Sequence, residues 1–215
     1  MKKLIDRVFL LNRTTGQYEG AELFHGFDMS NLSHIEGRWR PMFEVRRNEA
    51  KETRQTLASI NAEDAHWDWG KKALAAINDP FLFDFFVLEC GGNTQAIMMT
   101  RKGGVDCFSR HVEHERKPLI YVEFLATAPW NRPGFVAEPT YKGSGRVLIA
   151  TAVSLSLEEE MGGRVGLHSL PAAEQFYRDA IGMSDLGLDE EGVHEGLRYF
   201  ELPASQAAIF LSVQH

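Results

Sequence analysis

The stretch from Ile120 to Met183 constrains the fold of this chain most. It reads as a strand (Ile120 to Ala128), a break at Pro129, a glycine turn (Gly143-Ser144-Gly145) and a helix (Arg146 to Glu160). A second strand (Arg164 to Leu170) and a second helix (Ala172 to Ile181) follow. The first turn of a helix carries unpaired N–H groups and the positive end of the helix dipole, so it attracts phosphate. Glycine before it lets an anion approach the backbone, and Arg146 adds a fixed positive charge. A plain tight turn uses the same glycines. Two further features point to chemistry: Glu123 inside an apolar strand and Tyr177 on the second helix.

The residues around the turn are more specific. Leu125-Ala126-Thr127-Ala128-Pro129-Trp130-Asn131-Arg132, then Gly143-Ser144-Gly145-Arg146-Val147-Leu148, resembles motif A of the GNAT superfamily, the acyl-CoA-dependent N-acyltransferases. Phe176-Tyr177-Arg178-Asp179-Ala180-Ile181-Gly182-Met183 is similar to that family's later Phe-Tyr-x-x-x-Gly-Phe signature. Tyr121-Val122-Glu123 is similar to a segment that places a carboxylate beside the acyl group. The resemblance covers roughly Phe81 to Val213. It has departures: Thr127 replaces the usual Val, residues Pro133 to Lys142 look inserted before the turn, Thr140 falls where Gln or Arg is expected, and Leu170 stands where Asn is frequent.

The resemblance implies an α/β (α+β) fold, with a mixed, mostly antiparallel central sheet of about seven strands and helices on both faces. Residues 1-35 would be an N-terminal extension packed on an acyltransferase domain of residues 36-215. It also implies acetyl-CoA as acyl donor. The expected cofactor contacts are Leu125, Ala126, Thr127, Arg132, Lys142, Gly143, Ser144, Gly145 and Arg146.

Acyl transfer from a thioester to an amine needs a base, an oxyanion donor and an acid for the leaving thiolate. Glu123 is the candidate base, because a carboxylate among Val122, Phe124 and Leu125 is partly desolvated and its pKa rises. His168 is the substitute base. Tyr177 is the candidate acid, from the family's matching Tyr. A backbone N–H on the strand would polarise the carbonyl. The competing reading is a non-catalytic acyl-CoA-binding or protein-interaction module on the same fold.

Length and charge limit the alternatives. With 215 residues and 44% hydrophobic content the chain can bury a full core. A net charge of -7 without a basic run argues against a nucleic-acid binder, including a toxin-like enzyme that acylates aminoacyl-tRNA. Two cysteines, Cys90 and Cys107, make no disulfide framework and suit a reducing, cytoplasmic setting. No signal peptide or membrane span is read. The acceptor is an unidentified amine, and homodimerisation is compatible with the family.

The remaining elements are expected as follows. Strands at Val8 to Leu11 and Ala21 to Phe24 flank the turn Thr14-Thr15-Gly16. Arg38 to Val45 is an edge strand because of Pro41. Glu44 to Ile60 is a helix, and Asn61 caps another over Ala62 to Ile77. Trp67-Asp68-Trp69 lines either a pocket or the core. Phe81 to Glu89 and Thr94 to Thr100 form a hairpin around Gly91-Gly92-Asn93, with Asp84 facing out. Arg110 to Lys117 is a polar, partly disordered connection, in which His111 and His114 have HxxH spacing too weak to define a metal site. An acidic loop spans Asp185 to Glu195. Leu197 to Leu202 and Ala208 to Val213 form a final antiparallel pair.

Overall fold

A computed structural model describes residues 2–212. In chain order the elements are β1 (Lys3–Asn12), β2 (Tyr18–His25), α1 (Met29–His34), α2 (Arg40–Thr53), α3 (Trp69–Asn78), β3 (Phe83–Cys90), β4 (Asn93–Arg101), β5 (Ile120–Thr127), β6 (Tyr141–Lys142), α4 (Ser144–Glu158), β7 (Val165–Ser169), β8 (Ser184–Leu188), β9 (Arg198–Leu202) and α5 (Ala204–Ser212). π-helical turns cover Ile35–Trp39 and Phe176–Ile181. The strands follow the order β6-β1-β2-β3-β4-β5-β7-β9-β8 in one sheet. The β5–β7 pair is parallel, whereas β1–β2, β1–β6, β2–β3, β7–β9 and β8–β9 are antiparallel. The expected mixed, mostly antiparallel class holds, with nine strands among the described residues rather than about seven.

The chain packs as two compact units. The first comprises the chain up to Pro80, Asp84–Met99 and Leu125–Leu148. Its β1–β2 hairpin is longer than the sequence suggests, and β2 pairs with β3 from Ala21↔Cys90 to His25↔Phe86. The expected strand at Arg38 to Val45 is helical instead. Pro41 lies just after the π-helical turn Ile35–Trp39, inside a helical run unbroken from Met29 to Thr53, and Ile35, Trp39 and Phe43 are buried at a spacing of four. The helix expected through Ile60 stops at Thr53, where Arg54 turns left-handed (φ 56°). Asn61 is not an N-cap, since its φ of 52° is left-handed and a cap requires extended backbone. The cap is Asp68, whose side chain accepts from Lys71 N at 3.0 Å and starts α3. Asp84, expected to face out, is buried and bonds His25 Nε2 at 2.9 Å.

The second unit comprises Phe81–Phe83, Thr100–Phe124 and the chain from Ile149 onward. Strand β7 pairs on one side with β5, from Ile120↔Val165 to Val122↔Leu167, and on the other with β9. Gly166 sits on β7 because a Cβ there would collide with the Tyr199 hydroxyl. The connection at residues 110–117 is ordered by Glu201, which is fully buried on β9. Glu201 accepts from Ser109 Oγ, from Arg110 N at 2.8 Å and from His111 N at 3.3 Å. The expected strand at Ala208 to Val213 is helix α5, with Ala207 and Phe210 buried; Val213 lies outside the described residues. Part of the expected acidic loop is β8, where Asp185 bonds Arg178 at 2.7 Å and Arg198 at 2.9 Å.

Candidate active site

In the first unit, the glycine turn leads into α4 as the sequence suggests. Gly143 has φ 107°, a left-handed value that favours glycine, and its carbonyl accepts from Val147 N at 3.0 Å. Ser144 and Gly145 are buried at the start of the 15-residue helix, while Lys142 is exposed and Arg146 half-buried. The Ser144 hydroxyl has no hydrogen-bond partner among the described residues. A buried hydroxyl without a partner is costly, and an oxyanion at this helix start would satisfy it.

The inserted segment is tied down from both ends. Gln95 Oε1 accepts from Trp130 Nε1 and Asn131 Nδ2, each at 2.9 Å, and Asn131 Oδ1 accepts from Tyr141 N at 2.9 Å. Arg132, expected to contact the cofactor, is engaged within the protein. Its guanidinium forms a two-point ion pair with Asp64 (2.5 and 2.6 Å) and donates to the carbonyls of Thr127 (2.8 and 2.6 Å) and Asn61 (3.1 Å). Arg132 is buried, so its donors are committed to holding the turn after β5. Along the end of that strand Leu125 and Thr127 are half-buried and Ala126 is buried. Trp67 and Trp69 stack edge to face at 5.8 Å and line a shallow pocket with Trp39, Phe43 and Asp64.

In the second unit, the β5–β7 pairing ends at Val122↔Leu167 although both strands continue, so Glu123 is the first residue of β5 beyond it. Burial raises the Glu123 carboxyl above its ordinary pKa, against the opposing pull of Arg101 and His194. Arg101 at the end of β4 forms an ion pair with Glu123 and donates to Asp106 Oδ2 at 2.7 Å.

His168 is enclosed, with 2% side-chain exposure, and both ring nitrogens are engaged. Nε2 meets Asp189 Oδ2 at 2.8 Å and Nδ1 meets the Tyr121 hydroxyl at 2.7 Å. It therefore cannot take a proton from a substrate directly. Burial lowers the His168 pKa, with Asp189 opposing and His194 and Arg110 reinforcing. His194 stacks on His168, centroids 3.9 Å apart and planes 15° from parallel. Its Nε2 lies 3.4 Å from the Tyr121 hydroxyl and 3.5 Å from Asp106 Oδ2. Tyr177 is buried on its π-helical turn, its ring 5.9 Å from that of Phe200. Arg101, Asp106, Asp189 and His194 were invisible to sequence reasoning, because they sit in or beside two polar loops, Arg101 with Asp106 and Asp189 with His194, that lie far apart along the chain.

Among the described residues no group of three or more His, Cys, Asp or Glu could hold a metal ion. Among them no helix is long and apolar enough to cross a membrane.

Comparison with known proteins gives a likeness of fold. No family model and no curated protein matches the chain. Solved structures do. One is an uncharacterised protein from Bacillus halodurans, with 8% identity over 98% of this chain and 96% of that one and a TM-score of 0.56. Another is a bacterial toxin, with 13% identity, 73% and 84% covered, and a TM-score of 0.50. A third is a Desulfovibrio desulfuricans protein ascribed to the GNAT-family acetyltransferases, with 14% identity, 66% and 80% covered, and a TM-score of 0.44. Acetyltransferases solved with acetyl-CoA or CoA are also among the similar structures, at TM-scores of 0.38 to 0.44.

Proposed function

We propose that this chain is a GNAT-type N-acyltransferase that moves an acetyl group from acetyl-CoA to a primary amine. One observation carries the reading. The β5–β7 pairing ends at Val122↔Leu167, so backbone groups of β5 next to the half-buried Glu123 lose that partner strand. Beyond the end of a strand pairing, a pantetheine arm can bond strand backbone and a backbone N–H can polarise a thioester carbonyl.

The glycine turn fits a diphosphate by its own chemistry. The unpartnered Ser144 hydroxyl and the first N–H groups of α4 supply donors, and Lys142 and Arg146 supply positive charge. Acetyl-CoA supplies the acyl group activated as a thioester. The amine proton goes to Glu123 on β5 directly or to His168 on β7 through intervening groups, and the Tyr177 phenol supplies the proton for the leaving sulfur. Arg132 drops out of the cofactor set, because Asp64 and two carbonyls hold it.

The Arg101–Glu123 ion pair favours a second reading, since a carboxylate held by a guanidinium is a weaker base. On that reading the chain is an acyl-CoA-binding module without catalysis.

Thiol release from acetyl-CoA separates the two. The panel is tyramine, spermidine and an Nα-acetylated lysine peptide, with wild type and Tyr177→Phe. Amine-dependent release in the wild type, reduced in the variant without change in acetyl-CoA affinity, supports acetyl transfer. Acetyl-CoA binding without release from any amine supports the module.

A further inference from the structure

The second unit contains a hydrogen-bond chain whose direction is set by chemistry. Asp189 and Asp106 are acceptor-only groups at neutral pH. Burial raises both carboxyls, but Arg110 and His168 outweigh it at Asp189, and Arg101 and His194 outweigh it at Asp106. Because Asp189 faces His168 Nε2 at 2.8 Å, that nitrogen carries the proton and Nδ1 is an acceptor. The Tyr121 hydroxyl, 2.7 Å from Nδ1, must then donate to it. Its oxygen is left to accept from His194 Nε2 at 3.4 Å, and Asp106 at 3.5 Å keeps a proton on that same nitrogen.

His194 Nδ1 therefore has a lone pair. It has no hydrogen-bond partner among the described residues, and the side chain is 20% exposed. The chain runs from an accessible imidazole to a buried one beside a carboxylate.

Resting on the acetyl-transfer reading, we propose that His194 is the group that takes the acceptor amine's proton, and that Tyr121 relays it to His168. The ammonium gives a proton to His194 Nδ1, and His194 passes its Nε2 proton to the Tyr121 oxygen. Tyr121 gives its own proton to His168 Nδ1. One proton enters and one positive charge moves to His168, where the Asp189 carboxylate offsets it; the tyrosine is neutral before and after. Burial, reinforced by Glu123 and Asp106, raises the Tyr121 phenol so far that it stays protonated at ordinary pH. It can therefore pass a proton only by taking one up as it releases another. Arg101 and Arg110 fix the carboxylates, through Asp106 at 2.7 Å and Asp189 at 2.7 Å respectively. Tyr199, whose ring is 4.9 Å from His168, closes the buried side. Running the sequence backward returns the proton to His194 Nδ1, which releases it to water and so resets the relay.

Two measurements test this. Imidazole 15N spectra of the free protein read the tautomers. His168 protonated on Nε2, with the His194 ring nitrogen signals displaced by Tyr121→Phe, is the expected result. His168 protonated on Nδ1 would reverse the chain and overturn the relay. The second is kcat against pH, using whichever panel amine the wild type acetylates fastest. His194→Gln and Tyr121→Phe should each lower kcat by about 100-fold, leave KM for acetyl-CoA unchanged and abolish the acid limb. Wild-type turnover with His194→Gln at full kcat and an unchanged profile would sink the relay but leave acetyl transfer standing. No wild-type turnover with any amine would instead remove the acetyl-transfer reading, and the relay's catalytic role with it.

Discussion

Replacing Asp64 by Asn leaves the Arg132 guanidinium buried without its counter-charge. The two side chains are 7% and 5% exposed and meet at 2.5 and 2.6 Å, so water cannot take the carboxylate's place. Removing one partner of such a pair costs about 3–5 kcal/mol. For a chain of this size each kcal/mol moves the melting point by roughly 2–4 °C, so the fall should lie between about 6 and 20 °C. Arg132→Met should cost more, because the carbonyls of Thr127 and Asn61 also lose donors at about 1–3 kcal/mol each. The double variant Asp64→Leu/Arg132→Met should lose less than the two single effects added, since neither charge is stranded. Calorimetry and urea midpoints measure all three. An Asp64→Asn melting point within about 3 °C of wild type would refute the argument. So would an Arg132→Gln protein of full stability that had lost acetyl-CoA binding, since that would return Arg132 to the cofactor site.

Other predictions follow from single contacts. Gly166→Ala drives a methyl into the Tyr199 hydroxyl and should cost about 1–3 kcal/mol by urea denaturation; a neutral effect would mean that Tyr199 moves freely. Asp185 is pushed up by burial but pulled down further by Arg178 and Arg198, to about 2. Its folded pKa is depressed, so its contribution is present above the unfolded value of about 4 and lost as pH falls from there toward 2. The stability gap between wild type and Asp185→Asn should therefore close across that window; a gap constant with pH would contradict the pairing. Glu201→Gln weakens the acceptor for Ser109, Arg110 and His111, and amide exchange at residues 109–111 should accelerate at least tenfold; unchanged protection would mean that other contacts order this segment.

The parts that were legible in the sequence are those specified locally. The strand, glycine turn and helix around residues 120–158 announce themselves through a dense apolar run, a backbone position that favours glycine and a long helical pattern. Two elements were misread for identifiable reasons. Pro41 reads as the mark of an edge strand, whereas it stands inside a helix beside a π-helical turn, and the spacing of Ile35, Trp39 and Phe43 is helical. Ala208 to Ser212 is a short apolar run, which periodicity cannot assign to strand or helix.

The candidate site divides in the same way. Glu123, His168 and Tyr177 are candidates in the sequence because they lie on recognisable elements. The pair Arg101 and Asp106 meets the pair Asp189 and His194 only through the β5–β7–β9 arrangement and its loops, so no spacing in the sequence joins the two pairs. Arg132 was assigned by resemblance to the cofactor. Its partner Asp64 is 68 positions away, and only the fold brings them together.

Melting in the presence of acetyl-CoA, with Gly145→Glu and Arg146→Glu alongside, bears most directly on acetyl-CoA use. A ligand at a hundred times its dissociation constant stabilises by about 2.7 kcal/mol, a rise of roughly 5–10 °C here. That rise in the wild type, lost in the variants while their unliganded melting points stay near wild type, is the predicted result. No rise at millimolar acetyl-CoA, or an equal rise in both variants, would contradict a site at the start of α4.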